Sequence, residues 1–417
     1  MYKITNFKFS ILFFLMLASF VIRLIAVLVY GDVRIDNEWN VLLDHLYDHN
    51  IYAYHKFENE LIPTTYMPPM YPFILYFLKI ISFEKVNILY MIFSFHIILS
   101  VISVYFFYKI NEQFFSRIIS IINSFIFSFF PLSIYAVTQT SSITLQIFLS
   151  LLFLRYFFLV TNNSSNKNII IFSIICGLSL LTRGEFILIF ILTLAYILIC
   201  KKMIFINLIK IFLISIIIIS PYLVRNYVTF GTIHIVNVTG YALWKGNNKN
   251  LLVEGFRNIN GSETELLKKE GIDLKFKNIP KNISYEANKD KFFFDVALQN
   301  ILEKPSVYLL LYIKKVFSFY FLDIDSSYKN YYHFMHIAPV ILISILSLPG
   351  LIIFLKSKDF QKNYIIFYLI LFVSIFSIFF ILPRYKLVIL PMQIILSAFS
   401  IKFFASKLTS FVRKITR

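Results

Sequence analysis

The sequence predicts an all-α polytopic membrane protein of about ten spans, with a small mixed α/β extracytoplasmic region. Three observations predict it. Of 417 residues, 59% are hydrophobic and 15% are charged, whereas a soluble domain is about half apolar and a quarter charged. Apolar runs of roughly 18 residues or more recur along the chain, the length a helix needs to cross a bilayer core. Lys and Arg gather in the short segments between those runs, as orientation signals do. The net charge of +18 therefore points to membrane topology, and no nucleic-acid partner is expected. Cys176 and Cys200 both lie in apolar segments and read as small core residues.

The spans are expected at roughly 9–30, 86–109, 117–134, 141–160, 168–182, 185–200, 204–223, 336–356, 363–382 and 385–404. The first run is too long for a signal-peptide core and lacks a small-residue cleavage site, so it reads as an uncleaved span. With both termini cytoplasmic, the inner segments carry the basic residues and only Glu112 and Asp359 oppose them. The first outer loop, 31–70, holds seven acids against Arg34 and Lys56, which completes a positive-inside pattern. The apolar segment 71–82 would make a helix only about 18 Å long, short of a core about 30 Å thick. It is expected to dip into the outer leaflet, since a full crossing would invert every later loop.

The chain then divides into three parts. Residues 1–223 form an N-terminal membrane module, with 31–85 as its catalytic outer loop. Residues 224–335 form an extracytoplasmic region with an interfacial helix. Residues 336–417 supply the last spans and a short basic cytoplasmic tail, with no large domain after them. Within 305–321 the pair Lys314 and Lys315 sits at the centre of an apolar run. A charged pair at mid-bilayer would be costly, so an amphipathic helix on the membrane surface is expected.

Candidate chemistry lies in the outer segments. In the first loop, Trp39, Leu42, Leu43 and Leu46 fall at helical spacing. Asp36 stands where an N-cap belongs, and Glu38 can pair with Arg34 at i,i+4. The same carboxylates at a membrane surface also suit a general base acting on an acceptor hydroxyl. The following MPPMYP is a stiff turn, because proline fixes φ and restricts its predecessor. LTRGEF sets Arg183 and Glu185 at the corner between two spans, either snorkelling or facing a lipid headgroup. SPYLVRNY places Arg225 and Asn226 at the outer end of the seventh span. There they read as interfacial anchors or, through the planar arginine fork, as a phosphate site. The β-branched TIHIVNVTGYALWKGNN behind them reads as a strand or extended loop returning over the membrane. ILPRYKLVILP repeats the theme with Arg384, Tyr385 and Lys386. His333 and His336 are spaced i,i+3, but no acidic or cysteine partner adjoins them, so the sequence supports no metal or other cofactor.

Taken together, four separated segments resemble one family. IDNEWNVLLDHL with PPMYP, GLSLLTRGEF, SPYLVRNYVTFG with GYALWKGNN, and PRYKLVILP are similar in order and spacing to motifs of the GT-C glycosyltransferases. The likeness is greatest to the bacterial relatives of protein O-mannosyltransferases and the lipid A aminoarabinose transferase. The resemblance implies a polyprenyl-phosphate sugar donor and transfer to an acceptor hydroxyl (lipid, glycan or protein) on the extracytoplasmic side of a bacterial inner membrane. It implies an acidic base, mapping onto Asp36 with Glu38 second, and phosphate-binding Arg225, Arg183 and Arg384. Asn226, Glu185, Tyr385, Trp244 and Lys245 join them as substrate-binding candidates. The sequence departs from the family in VTQTSSITLQ, where an acid often precedes the fourth span, and at Gly184 and Tyr222. The missing acid weakens any inherited metal site. Two rival readings are a polysaccharide polymerase or ligase using a lipid diphosphate, and a lipid-linked sugar flippase.

Overall fold

A computed structural model describes residues 2–415 except 36, 83–86, 258, 260, 329, 330 and 332; for 2–10 and 411–415 it describes the backbone only. The chain is 74% helical with one small sheet.

The helices run in this order. The first part holds α1 (Tyr2–Tyr30), α2 (Glu38–His49), a hairpin of β1 (Ala53–Phe57) and β2 (Glu60–Pro63), α3 (Met70–Ile81) and α4 (Ile88–Asn111). Then come α5 (Arg117–Ser128), α6 (Pro131–Val137), α7 (Ile143–Asn162), α8 (Asn166–Thr182), α9 (Phe186–Ile199) and α10 (Phe205–Phe230). A helical outer unit follows, with α11 (Thr239–Gly246), α12 (Ser262–Glu270), α13 (Asp273–Lys277) and α14 (Tyr285–Glu303). The chain finishes with α15 (Pro305–Tyr320), α16 (Phe334–Leu355), α17 (Phe360–Ile378), a 3₁₀ turn at Pro383–Val388 and α18 (Leu390–Ile415).

Each expected span meets a helix, though they differ in form. Among the described residues, six helices are long and apolar enough to cross a bilayer by themselves. The expected span 117–134 is instead two helices, α5 and α6, bent by 53°. Pro131 opens the second, where its missing N–H and fixed φ suit a helix start and prevent continuation of the first. Helices α8 and α9 are short at 17 and 14 residues. The segment 71–82 is the 12-residue α3, which packs Tyr71 and Leu75 against Trp39, Leu42, Leu43 and Leu46 of α2 and against α4. The helical spacing read in the first loop is thus the buried stripe of α2.

Helix α10 runs on through Pro221 to Phe230 and ends at Gly231 in the left-handed region. At 26 residues it is about 39 Å long, roughly 9 Å more than a bilayer core. Its last turns therefore stand among the loops and carry Arg225 and Asn226 with them. Inside the bundle, Arg23 of α1 is wholly buried. It donates to Ser100 Oγ of α4 at 2.7 Å and to Ser19 Oγ at 2.6 Å, and reaches the Ser128 carbonyl at 3.0 Å. Such hydrogen bonding is the condition for a charge at that depth.

Two expectations about the outer region are corrected. The β structure lies in the first loop, as the antiparallel β1–β2 pair. The β-branched stretch after α10 forms no strand; it leads into α11, whose Trp244 is buried among Leu266, Leu267, Phe293 and Ala297. Burial of that ring decides the local structure over β propensity. Helix α15 does not lie with both lysines in water. Lys314 is exposed, but Lys315 is fully buried and donates to Asn247 Oδ1 at 3.1 Å. Tyr312 donates to the Ser374 carbonyl of α17 at 3.3 Å and Phe319 stacks on Phe376, so α15 is packed against the bundle.

Candidate functional site

The connections 31–87, 138–142, 183–185, 231–333 and 379–389 all join helix ends at one end of the bundle, and long-range hydrogen bonds bind them together. The first loop is stitched to the segment after α6. Asp32 N–H donates to the Thr138 carbonyl at 3.0 Å, and Asp32 Oδ2 accepts from Thr140 N–H at 2.7 Å and Thr140 Oγ1 at 3.0 Å. Asn37 Nδ2 adds a bond to the Thr140 carbonyl at 3.0 Å. Thr140 lies in the very stretch where an acid was missing.

Asn37, and not Asp36, caps α2: its Oδ1 accepts from Trp39 N–H at 3.1 Å. Asp36 itself lies outside the described residues. Glu38 is the first residue of α2 and half-buried. Its charge acts on Arg384, Lys245, Tyr54, Tyr66 and Tyr328. Tyr54 and Tyr66 stack with centroids 4.7 Å apart. Burial, with the Glu38 carboxylate next, pushes the Tyr54 hydroxyl above its ordinary range.

Opposite stand two arginines on one ring. The Arg183 guanidinium lies 5.1 Å from the Tyr385 centroid and that of Arg384 lies 5.8 Å from it. Arg183 Nε also donates to Gln146 Oε1 at 3.2 Å. Arg384 is presented by the 3₁₀ turn, whose position is pinned by its neighbour. Lys386 is buried and donates to the Tyr320 carbonyl and, at 3.0 Å, to Ser344 Oγ. Below Arg183 runs a narrow, mainly apolar slot between α7, α8, α9 and α17, lined by Ser150, Ser179, Thr182, Phe186, Phe372 and Phe376. Arg183 forms no ion pair with Glu185 among the described residues; Glu185 is the half-buried first flank of α9.

Arg225 is placed elsewhere. Its Nη1 donates to the Thr64 carbonyl at 2.8 Å and to Asn226 Oδ1 at 2.9 Å, and its Nη2 donates to the Tyr52 carbonyl at 3.2 Å. Asn226 is buried and donates to the His234 carbonyl at 2.5 Å. The pair clamps the hairpin of the first loop to the top of α10, a different task from the expected phosphate contact. Trp244 is likewise a core residue, fully buried with its indole N–H on Glu270 Oε2 at 2.6 Å.

The outer unit is fastened to the same hairpin by a residue the sequence reading passed over. Glu286 of α14 is buried. It accepts from the Thr64 hydroxyl, from Thr65 N–H at 2.7 Å and from Thr65 Oγ1 at 3.3 Å. Burial pushes its carboxyl up. Only the partner positions could have signalled it, and those lie more than 200 residues earlier in the chain.

Among the described residues no three His, Cys, Asp or Glu side chains gather as a metal site. His333 caps α16 through Nδ1, and His336 lies against Tyr135. The described residues do not fit a resident metal, and no step below runs through one.

No family model matches the sequence, and no curated protein matches it. Solved structures do. The oligosaccharyltransferase AglB of Archaeoglobus fulgidus, in complex with an inhibitory peptide and a dolichol-phosphate, aligns with a TM-score of 0.56 over 99% of this chain and 52% of its own, at 14% identity. The chain has the GT-C fold. A second structure of the archaeal enzyme, tethered to an acceptor peptide containing the NVT sequon, aligns at 0.55 over 97% of this chain and 50% of its own, also at 14% identity. A third, complexed with Zn and sulfate, aligns at 0.53 over 94% and 49%, again at 14% identity. The chain thus spans about half the length of the structures it matches.

Proposed function

We propose that this GT-C chain is a membrane glycosyltransferase that moves a sugar or glycan from a polyprenyl-phosphate donor to an acceptor hydroxyl. The observation that carries the reading is Arg384 and Arg183 sharing the Tyr385 ring, with the first-loop carboxylate Glu38 acting on Arg384 from further off. The arginine forks suit the phosphate. Orientation rests on the basic inner loops, which put this end of the bundle on the extracytoplasmic side of a cytoplasmic membrane.

In the reaction, the acceptor oxygen attacks the anomeric carbon while the bond from that carbon to the phosphate oxygen breaks. The acceptor proton passes to a first-loop carboxylate, and both bond electrons leave with the polyprenyl phosphate. Arg183 and Arg384 offset the charge that develops on the leaving oxygen. Glu38, the second candidate for the base, is a described carboxylate of this loop. Asp36, the base that the family resemblance implies, stands two positions before it and is tested alongside.

The experiment is transfer in liposomes from radiolabelled polyprenyl-phosphate sugars to a membrane extract. Wild type should move label to an acceptor and release polyprenyl phosphate. Glu38→Gln or Asp36→Asn should slow transfer by about 10²-fold or more, the scale of a lost general base, without loss of donor binding. Label that only changes leaflet, in wild type and variants alike, would replace this reading with a flippase.

A further inference from the structure

Lys245 is held in an unusual way by two close backbone approaches. Gly246 ends α11 against the chain at 379–380; a Cβ there would lie 2.4 Å from the Phe379 carbonyl carbon. Gly255, at φ +86°, lies on Lys245 itself; a Cβ there would sit 2.0 Å from the Lys245 carbonyl oxygen. Only glycine permits either approach. Together they bring Phe380 and Phe256 to the two sides of the lysine, with its Nζ 4.4 and 4.3 Å from the ring centroids. The Ile381 N–H to Val253 carbonyl bond, 2.9 Å, ties the two strands of this arrangement.

Lys245 is half-buried, and among the described residues its ammonium meets no carboxylate within ion-pair distance and no protein hydrogen-bond acceptor. Its company is the two rings, with Glu263, Arg384, Glu38 and Glu254 acting from further off. Lys289 of α14 has similar surroundings: it lies 5.1 Å from the Tyr241 ring and 5.8 Å from that of Tyr66, again with no ion pair. Aromatic faces hold a cation in place but leave its N–H donors unused. Those donors remain open to solvent, where a substrate anion can reach them.

We propose that Lys245 binds a second anionic group of the substrate, a phosphate or carboxylate, separate from the group held by Arg183 and Arg384. The proposal rests on the transferase reading. The anion has two sources. It is a charged group on the acceptor, or the distal phosphate of a polyprenyl diphosphate lipid, in which case the donor of the transfer is the diphosphate in place of the monophosphate.

The test uses the full chain in lipid nanodiscs, with Lys245→Gln and Lys245→Arg beside wild type. The probes are polyprenyl monophosphate and diphosphate of equal length. Hexose and hexose 6-phosphate are then added with the monophosphate lipid bound. If the donor supplies the anion, wild type holds the diphosphate lipid more tightly. Lys245→Gln then weakens that lipid about 10- to 100-fold, the scale of one charge-assisted hydrogen bond, and leaves the monophosphate unchanged. If the acceptor supplies it, both lipids bind alike in all variants, and Lys245→Gln weakens hexose 6-phosphate but not hexose. Lys245→Arg keeps the binding in either case. Equal binding of every probe by wild type and Lys245→Gln overturns the proposal and leaves Lys245 a packing residue. Failure of wild type to bind either lipid overturns the transferase reading instead, and this one with it.

Discussion

Replacing Arg225 by Ala tests whether this arginine clamps the first loop or binds phosphate. Its three hydrogen bonds are unequal. The bond to Asn226 Oδ1 is between neighbours and is readily replaced by water. The Tyr52 carbonyl, 3.2 Å from Nη2, also accepts from Thr64 N–H at 2.9 Å, so it keeps a partner. The Thr64 carbonyl, 2.8 Å from Nη1, loses its charged donor. Thr64 is fully buried, so water cannot readily take the place. One charge-assisted bond of this kind contributes about 1.5–3 kcal/mol, and the lost ring contacts with Tyr52 and Phe230 about 0.5–1 kcal/mol more. The hairpin should therefore open more easily by about 2–4 kcal/mol. Amide exchange over 53–66 should speed up by roughly 30- to 900-fold, while exchange in α7 and α17 stays unchanged. Affinity for polyprenyl phosphate should fall far less than in Arg384→Ala. Wild-type exchange in the hairpin together with lost lipid binding would refute the clamp and restore Arg225 as the phosphate ligand.

Other perturbations separate the parts of the site. Glu38→Gln should lose transfer but not donor binding, read by label release against lipid retention. Gly246→Ala pushes a methyl into the 379–380 backbone; it should shift α11, lower the melting temperature and weaken probe binding at Lys245, while Arg384-dependent binding changes less. Burial lowers the Lys245 ammonium to about 8. Anion binding there should hold below pH 8 and decline as pH rises through that value, whereas Lys245→Arg should stay flat, since arginine keeps its charge. Glu286→Ala removes the acceptor for Thr64 and Thr65 and should loosen the outer unit from the hairpin, seen as faster proteolysis between 53 and 66. A Glu286→Ala chain as resistant as wild type would show that the outer unit is held by other contacts.

Much of this protein was legible in the linear chain because the deciding energies are local. The longer apolar runs demand a helix, because a backbone buried in a bilayer must pair internally, and the shorter runs at α8 and α9 are helical too. The stripe of α2 followed from the spacing of Trp39, Leu42, Leu43 and Leu46, and the bend at Pro131 could have been read from proline chemistry. The resemblance motifs also marked segments that do meet at one end of the bundle. Which residue does what was decided by contacts across long separations. Arg225 meets Thr64 161 residues away, Asp32 meets Thr140 108 away, and Asn247 reaches the Ile378 carbonyl 131 away. A guanidinium at a membrane surface looks the same in sequence whether it faces a carbonyl or a phosphate; only the groups folded against it distinguish the two. For the same reason Lys245 was one basic residue among forty, until Gly246 and Gly255 allowed two phenyl rings to close around it without supplying an acceptor.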